Sequence, residues 1–340
     1  MRQVTMDTGI AARHSLSVVV PVYNEEAVLP EFHRRLSAVL ERLDCAAEVV
    51  YANDGSRDRT RDLLQDLHRA DPRVAVVDLS RNFGKEIAMS AGLDHAQGDA
   101  VVVIDADLQD PPELIPDMLR AWREGSDVVL MRRRSRAEES WFRRTIARVF
   151  YRTIDRMSAT DIPPDVGDFR LMSRRTVEAV RRFPERSRFM KGLFAWVGFD
   201  SVIIDYDRDG RHSGRTKWNY WKLWNFALEG ITSFSDVPLK VASYVGLATA
   251  LVAFALGAFY AVKTLIYGDP VQGFTTLVVV VLFLGGLQLM ALGIIGEYLA
   301  RMFIEVKQRP LYLVARLMPP TRPLPPPAAD LPAADARSWR

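Results

Sequence analysis

A chain of 340 residues, 49% hydrophobic and 26% charged, is long enough for two ordinary domains and too apolar to be disordered. Its formal charge of +3 gives no basis for a nucleic-acid partner, and its single cysteine, Cys45, leaves no internal disulfide and suits a reducing compartment. The segment 1–14 is polar and charged, a flexible N-terminus, and the apolar run after it, Leu16–Val20, is too short for a signal-peptide core and stops at Pro21.

From residue 15 to about 130, β-branched runs alternate with helical patterns. The predicted strands are Ser17–Val22, Glu48–Ala52, Val74–Leu79 and Ala100–Ile104. Between them, Ala27–Leu43 repeats Leu29, Phe32, Leu36, Val39, Leu40 and Leu43 every three or four residues, and Arg57–Ala70 puts Leu63, Leu64 and Leu67 on one face. Apolar strands separated by amphipathic helices predict an α/β Rossmann-like domain, over 15–217, whose parallel sheet is covered on both faces. Such sheets bind ligands beyond the carboxyl ends of their strands. Polar clusters fall at each of those ends: Tyr23-Asn24-Glu25-Glu26, Asn53-Asp54-Gly55-Ser56, Arg81-Asn82-Phe83-Gly84 and Asp105-Ala106-Asp107. His33, His68 and His95 lie in helical segments without an evident carboxylate or cysteine partner and read as structural.

Arginines cluster next, at Arg132, Arg133, Arg134, Arg136, Arg143, Arg144 and Arg148, a run that suits anionic head groups as well as a solvated face. Over 218–236, Trp218, Trp221 and Trp224 with Tyr220 and Phe226 form a stripe at three-residue spacing, expected as an interfacial helix. A hairpin over 237–304 follows. Its first uncharged run, 241–262, is roughly 33 Å long as a helix, and the second span covers about 272–296; each is long enough to cross a bilayer. Lys240, Arg301, Lys307 and Arg309 flank the outer ends, against Lys263 in the connection, which predicts both termini and the α/β domain on the cytoplasmic side of a bacterial inner membrane. Residues 305–340 read as a cytoplasmic tail, Pro-rich and disordered after 318.

The strongest chemical signal is Asp105-Ala106-Asp107-Leu108-Gln109-Asp110-Pro111-Pro112. Two carboxylates leaving a buried strand can gather oxygen ligands around one hard cation, which then shares substrate phosphates. Asp205-Tyr206-Asp207-Arg208-Asp209 repeats the spacing, but Arg208 and Arg211 are expected to neutralise it.

These segments, with Val20-Pro21-Val22-Tyr23-Asn24-Glu25-Glu26, Ser80-Arg81-Asn82-Phe83-Gly84-Lys85-Glu86, Gly167-Asp168-Phe169-Arg170-Leu171 and Arg211-His212-Ser213-Gly214-Arg215-Thr216-Lys217-Trp218, resemble glycosyltransferase family 2 over roughly 15–310. Within it they are similar to the polyprenyl-phosphate enzymes, the bactoprenol glucosyltransferases and dolichol-phosphate mannose synthases. The resemblance implies a GT-A fold in which Pro21, Tyr23, Glu25, Asp54, Arg81, Gly84 and Asp105 bind the nucleotide. It implies that Asp105, Asp107 and Gln109 surround Mg2+ or Mn2+, and that Asp168, with Arg170, is catalytic. Arg132, Arg136, Arg211 and Lys217 would meet the donor or acceptor phosphates. The implied reaction is inverting transfer of one sugar, glucose from UDP-glucose as the first choice, to undecaprenyl phosphate, with membrane lipids as surroundings and a homo-oligomer as in relatives with this hairpin. GDP-mannose, a UDP-N-acetylhexosamine and an aminoarabinose donor stay open. A processive polysaccharide synthase would need a Gln-x-x-Arg-Trp-like motif and more spans, and a non-catalytic scaffold would not need the intact acidic set. A phosphate acceptor has a second pKa of about 6, so Asp168 has little proton to take; orienting Arg170 or another cation, or stabilising positive charge on the sugar, are the expected roles.

Overall fold

The computed structural model describes residues 14–133, 166–186, 188, 190–206, 237–267 and 273–325. They fall in two compact units, one holding every strand and the other a pair of long helices.

In the first unit the alternation expected from the sequence is present. The elements are β1 (Ser15–Val22), α1 (Leu29–Leu40), β2 (Ala46–Asn53), α2 (Thr60–Ala70), β3 (Val74–Leu79), α3 (Lys85–His95), β4 (Ala100–Val103), α4 (Ile115–Arg123), β5 (Val128–Arg133), β6 (Val166–Ser173), α5 (Arg174–Arg181), α6 (Met190–Trp196), β7 (Ser201–Tyr206) and, near the end of the chain, β8 (Val314–Met318). Helix α1 turns Leu29, Phe32, Leu36, Val39 and Leu40 into the core. Strands β1 and β3 are buried along their whole length, as expected for centres of a covered sheet. Each such Val or Leu contributes roughly 1.5–3 kcal/mol by leaving water.

The eight strands form one sheet in the order β7-β5-β6-β4-β1-β2-β3-β8. The predicted all-parallel sheet is in fact mixed. Strands β1, β2, β3 and β4 run parallel, but β6 inserts antiparallel between β4 and β5, and β8 lies antiparallel on the β3 edge. The return of β8 revises the expected domain limits. Instead of leaving the fold at 305, the chain rejoins the sheet, with Ser80 N–H donating to Leu313 at 2.9 Å, Tyr312 Oη to Asp94 at 2.8 Å and Arg322 N–H to Pro72 at 3.0 Å. Residues 319–325 continue from it among the described residues, and 326–340 lie outside them.

The histidines are structural, yet His33 does have a carboxylate neighbour. Its Nδ1 lies 2.9 Å from Tyr51 Oη and its Nε2 3.6 Å from Asp71. Burial lowers its pKa against the pull of Asp71. His68 and His95 bond to the carbonyls of Val74 and Ala91.

In the second unit, α7 (Val237–Tyr267) and α8 (Phe274–Lys307) pack on each other. Among the described residues one stretch, Phe283–Lys307, is long and apolar enough to cross a membrane, with mean hydropathy 1.5 and nothing of its window buried. It starts later than the expected 272–296, and the apolar stretch of α7, Tyr244–Leu256, is shorter than the expected 241–262. The aromatic stripe at 218–226 lies outside the described residues.

Candidate active site

Strand β1 pairs with β2 on one side and β4 on the other, so the winding direction reverses between β1 and β4, the place where sheets of this kind bind ligands beyond the carboxyl ends of their strands. The loops after β1 and β2 are tied together there. Asn24 N–H donates to Ser56 Oγ at 3.0 Å, Glu25 N–H to Thr60 Oγ1 at 2.9 Å, and Arg57 N–H to Asn24 Oδ1 at 2.9 Å. Asn24 takes φ 55°, a left-handed turn that asparagine tolerates. This anchors Tyr23, 40% exposed, and Glu25 at the rim beyond Pro21.

Asp54 is buried, and its two carboxylate oxygens accept the N–H groups of Phe83 at 2.6 Å and Gly84 at 2.9 Å. It therefore shapes the Arg81–Gly84 loop. Gly55, at φ 63°, lets that loop pass: a Cβ there would lie 2.4 Å from the Arg81 carbonyl carbon. Arg81 stacks on Phe83 at 4.3 Å, and Gly84, at φ 103°, leads into α3.

The antiparallel register decides the rest. Ala100 faces Ser173 and Val103 faces Arg170. Continued two residues, this pairing sets Asp168 opposite Asp105. Lys85, the first residue of α3, reaches between them, its Nζ 2.7 Å from Asp105 and 2.6 Å from Asp168. Burial lowers the Lys85 pKa, but the two carboxylates outweigh it and hold the ammonium well above the usual lysine value. Of the expected choices, Arg170 or another cation, the one whose ammonium bridges the Asp168 carboxylate is Lys85. Arg170 is buried beneath, donates to the Gly167 carbonyl at 2.7 Å and stacks on Phe194 at 4.2 Å; burial pushes it down to about 10. Lys85 stood inside a quoted motif, but only the antiparallel placement of β6 reveals its partners.

Asp107 accepts the Gln109 N–H at 3.1 Å, and Leu108 between them takes φ 61°, strained for a branched side chain. Burial first, then Asp107, Asp105 and Asp58, raise Glu25 to about 7; burial, with Asp168 and Asp107, raises Asp105. Carboxylates that repel one another this way, all hard oxygen donors, fit a divalent cation. Among the described residues no group of three or more His, Cys, Asp or Glu side chains is placed to hold a metal ion, so a cation at Asp105 and Asp107 would need substrate oxygens and water to complete its coordination.

The raised Glu25 has a consequence for stability. A carboxyl whose pKa is higher folded than unfolded stabilises below the unfolded value near 4.5 and loses that contribution as pH rises through about 7. Glu25→Gln should flatten the fall in melting temperature of the cation-free protein between pH 5 and 8. Parallel wild-type and variant curves over that window would contradict the assignment.

Arg132 is already engaged, donating to Asp205 at 2.6 and 3.0 Å across the parallel β5–β7 pair. Asp205 of the second acidic run is thus paired with Arg132, while Arg208 and Arg211, expected to neutralise that run in part, lie outside the described residues. Tyr206 beside Asp205 donates to buried Asp110. Arg136, Arg211 and Lys217 lie outside the described residues. A surface groove of about 420 Å³ on α1, lined by Arg34, Arg35, Arg42 and Glu113 among others, shares no residue with the carboxylate cluster.

Residues 17–181 match the glycosyl transferase family 2 model, and residues 237–302 match the GtrB C-terminal hairpin. A bactoprenol glucosyl transferase derived from the SfII prophage of Shigella flexneri is 47% identical over 301 residues, 88% of this chain and 97% of that one. The chain belongs to glycosyltransferase family 2. An uncharacterised glycosyltransferase of Synechocystis is also similar, 54% identical over 89% of this chain and 95% of its own. Among solved structures, a glucosyl-3-phosphoglycerate synthase from Mycobacterium tuberculosis in complex with Mn2+, uridine diphosphate and phosphoglyceric acid superposes with TM-score 0.42 at 21% identity, over 64% of this chain and 76% of that one. In this glycosyltransferase, whose α/β sheet is of the GT-A type, Asp105 and Asp168 meet through Lys85 beyond β4, where the strand order reverses.

Proposed function

We propose that the protein transfers one glucose from UDP-glucose to undecaprenyl or another polyprenyl phosphate, inverting the anomeric centre, at the cytoplasmic face of the membrane. The observation that carries the reading is the approach of Asp105 and Asp168 to one another through Lys85, with Asp107 two residues on, beyond the strand where the order reverses, in a chain that goes on to an apolar helical hairpin. The bactoprenol glucosyl transferases at 47% identity over most of the chain support donor and acceptor. Lys240 near the start of α7 and Arg301, Lys307 and Arg309 towards and beyond the end of α8 support an orientation with the catalytic unit in the cytoplasm.

Asp105 and Asp107, with the Gln109 side chain, would hold Mg2+ or Mn2+, which supplies positive charge against the departing diphosphate. Pro21, Tyr23, Glu25 and Asp54, with the Arg81–Gly84 loop, would seat the nucleoside and ribose. Arg132, Arg136, Arg211 and Lys217 would draw the acceptor phosphate towards a site that its own charge disfavours. Since that phosphate is ionised at neutral pH, Asp168 need not remove a proton. Its carboxylate instead opposes the positive charge growing on the sugar and fixes the Lys85 ammonium.

With detergent-purified full chain and UDP-glucose, UDP release should need both undecaprenyl phosphate and a divalent cation, and a glucosylated lipid should form. Equal UDP release with and without the lipid phosphate would sink the proposal.

A further inference from the structure

Lys85 is oddly placed for a merely decorative cation. It is the first residue of α3, where the positive end of the helix dipole disfavours a positive side chain. What it gains is Asp105 and Asp168, at 2.7 and 2.6 Å. Asp107 and Glu25 lie near them, and burial first, then repulsion from neighbouring carboxylates, raises Glu25 and Asp105. Without a cation at this point, the carboxylates of β4 and β6 would face each other uncompensated.

A lysine suits a contact that must be released. Its ammonium is a compact point charge on a flexible four-carbon stem, and the Lys85 side chain is 45% exposed, so it can swing to solvent without dragging the helix along. Its backbone is steadied separately, since Asp54 pins the preceding Phe83 and Gly84 N–H groups.

We propose that Lys85 is an exchangeable internal counter-ion: its ammonium bridges Asp105 and Asp168 in the metal-free protein and yields Asp105 to the divalent cation when that cation binds. It is a positioning residue, keeping the two carboxylates in their working places before donor arrives and setting cation affinity by competing for Asp105. The inference rests on the reading of Asp105 as a metal ligand.

The test uses full-length protein in detergent without sugar nucleotide, with Mn2+ binding followed by electron paramagnetic resonance and melting followed with and without Mn2+. Lys85→Met keeps the stem and removes the charge. It should lower the melting temperature of the metal-free protein, bind Mn2+ roughly tenfold more tightly because a competing charge a few ångströms away is gone, and regain with Mn2+ the stability it lost. Lys85→Arg keeps the charge and should bind Mn2+ within about threefold of wild type, by the same charge argument. Equal or weaker Mn2+ binding by Lys85→Met than by wild type would overturn the exchange, because an ordinary structural ion pair predicts that result. If neither protein bound Mn2+ even when UDP was added to supply phosphate oxygens, the metal reading of Asp105 would fall with it, which the wild-type titration alone reveals.

Discussion

Asp105→Asn should lower kcat/KM by about 10³-fold or more, on the order of 4 kcal/mol of lost transition-state stabilisation, while leaving the protein as stable as wild type or more so. The two halves of this expectation come from one fact. Asp105 is half-buried, its side chain 25% exposed, and burial first, then Asp168 and Asp107, raises its pKa against the pull of Lys85, so its charge is costly in the resting protein. An amide of the same size ends the repulsion, keeps a hydrogen-bond acceptor for Lys85, and offers the divalent cation only a neutral ligand. Activity loss with an unchanged or higher melting temperature is the signature of a site that trades stability for function. Turnover within tenfold of wild type at saturating Mn2+ would remove Asp105 from the reaction.

The second large effect is expected at Gly55. Alanine there must hold φ near 63°, and its Cβ would lie 2.4 Å from the Arg81 carbonyl carbon and 2.7 Å from Asn82 N, backbone atoms that cannot rotate aside. We expect Gly55→Ala to cost about 3 kcal/mol, which for a unit of this size is roughly 10 °C in melting temperature. The displaced segment is the one Asp54 holds by the Phe83 and Gly84 N–H groups, so UDP affinity should fall as well. Gly125→Ala is the control. Gly125 also has positive φ, 112°, but open space around the missing Cβ, so only the backbone term of about 1 kcal/mol applies. Equal losses at the two positions would mean that the Arg81 crossing is not tight.

The first four strands and their helices were readable because each carries its own periodicity, and the site residues after them because polar clusters interrupt apolar runs at one sheet edge. Strand β6 was not, since Gly167, Asp168 and Arg170 break its apolar pattern and only the pairing with β4 and β5 holds it in place. With β6 unread, the facing of Asp168 and Asp105 could not be seen, nor could Lys85 between them. The Arg132–Asp205 pair joins strands far apart in sequence through a parallel register that no local pattern encodes. Strand β8 was masked by its setting: five residues between a long apolar helix and a proline-rich stretch, whose exposed side chains show no burial rhythm.

That last strand bears on biosynthesis. As the nascent chain leaves the ribosome, β3 emerges early and β8 only after both helices of the hairpin. Until then one border of the catalytic sheet presents unsatisfied amides and carbonyls, the kind of exposed edge that recruits other chains. Completion of the soluble-looking part of the molecule must therefore wait for its greasiest part to be made, and fusions or truncations that sever residues 312–322 should aggregate even though every motif residue is present.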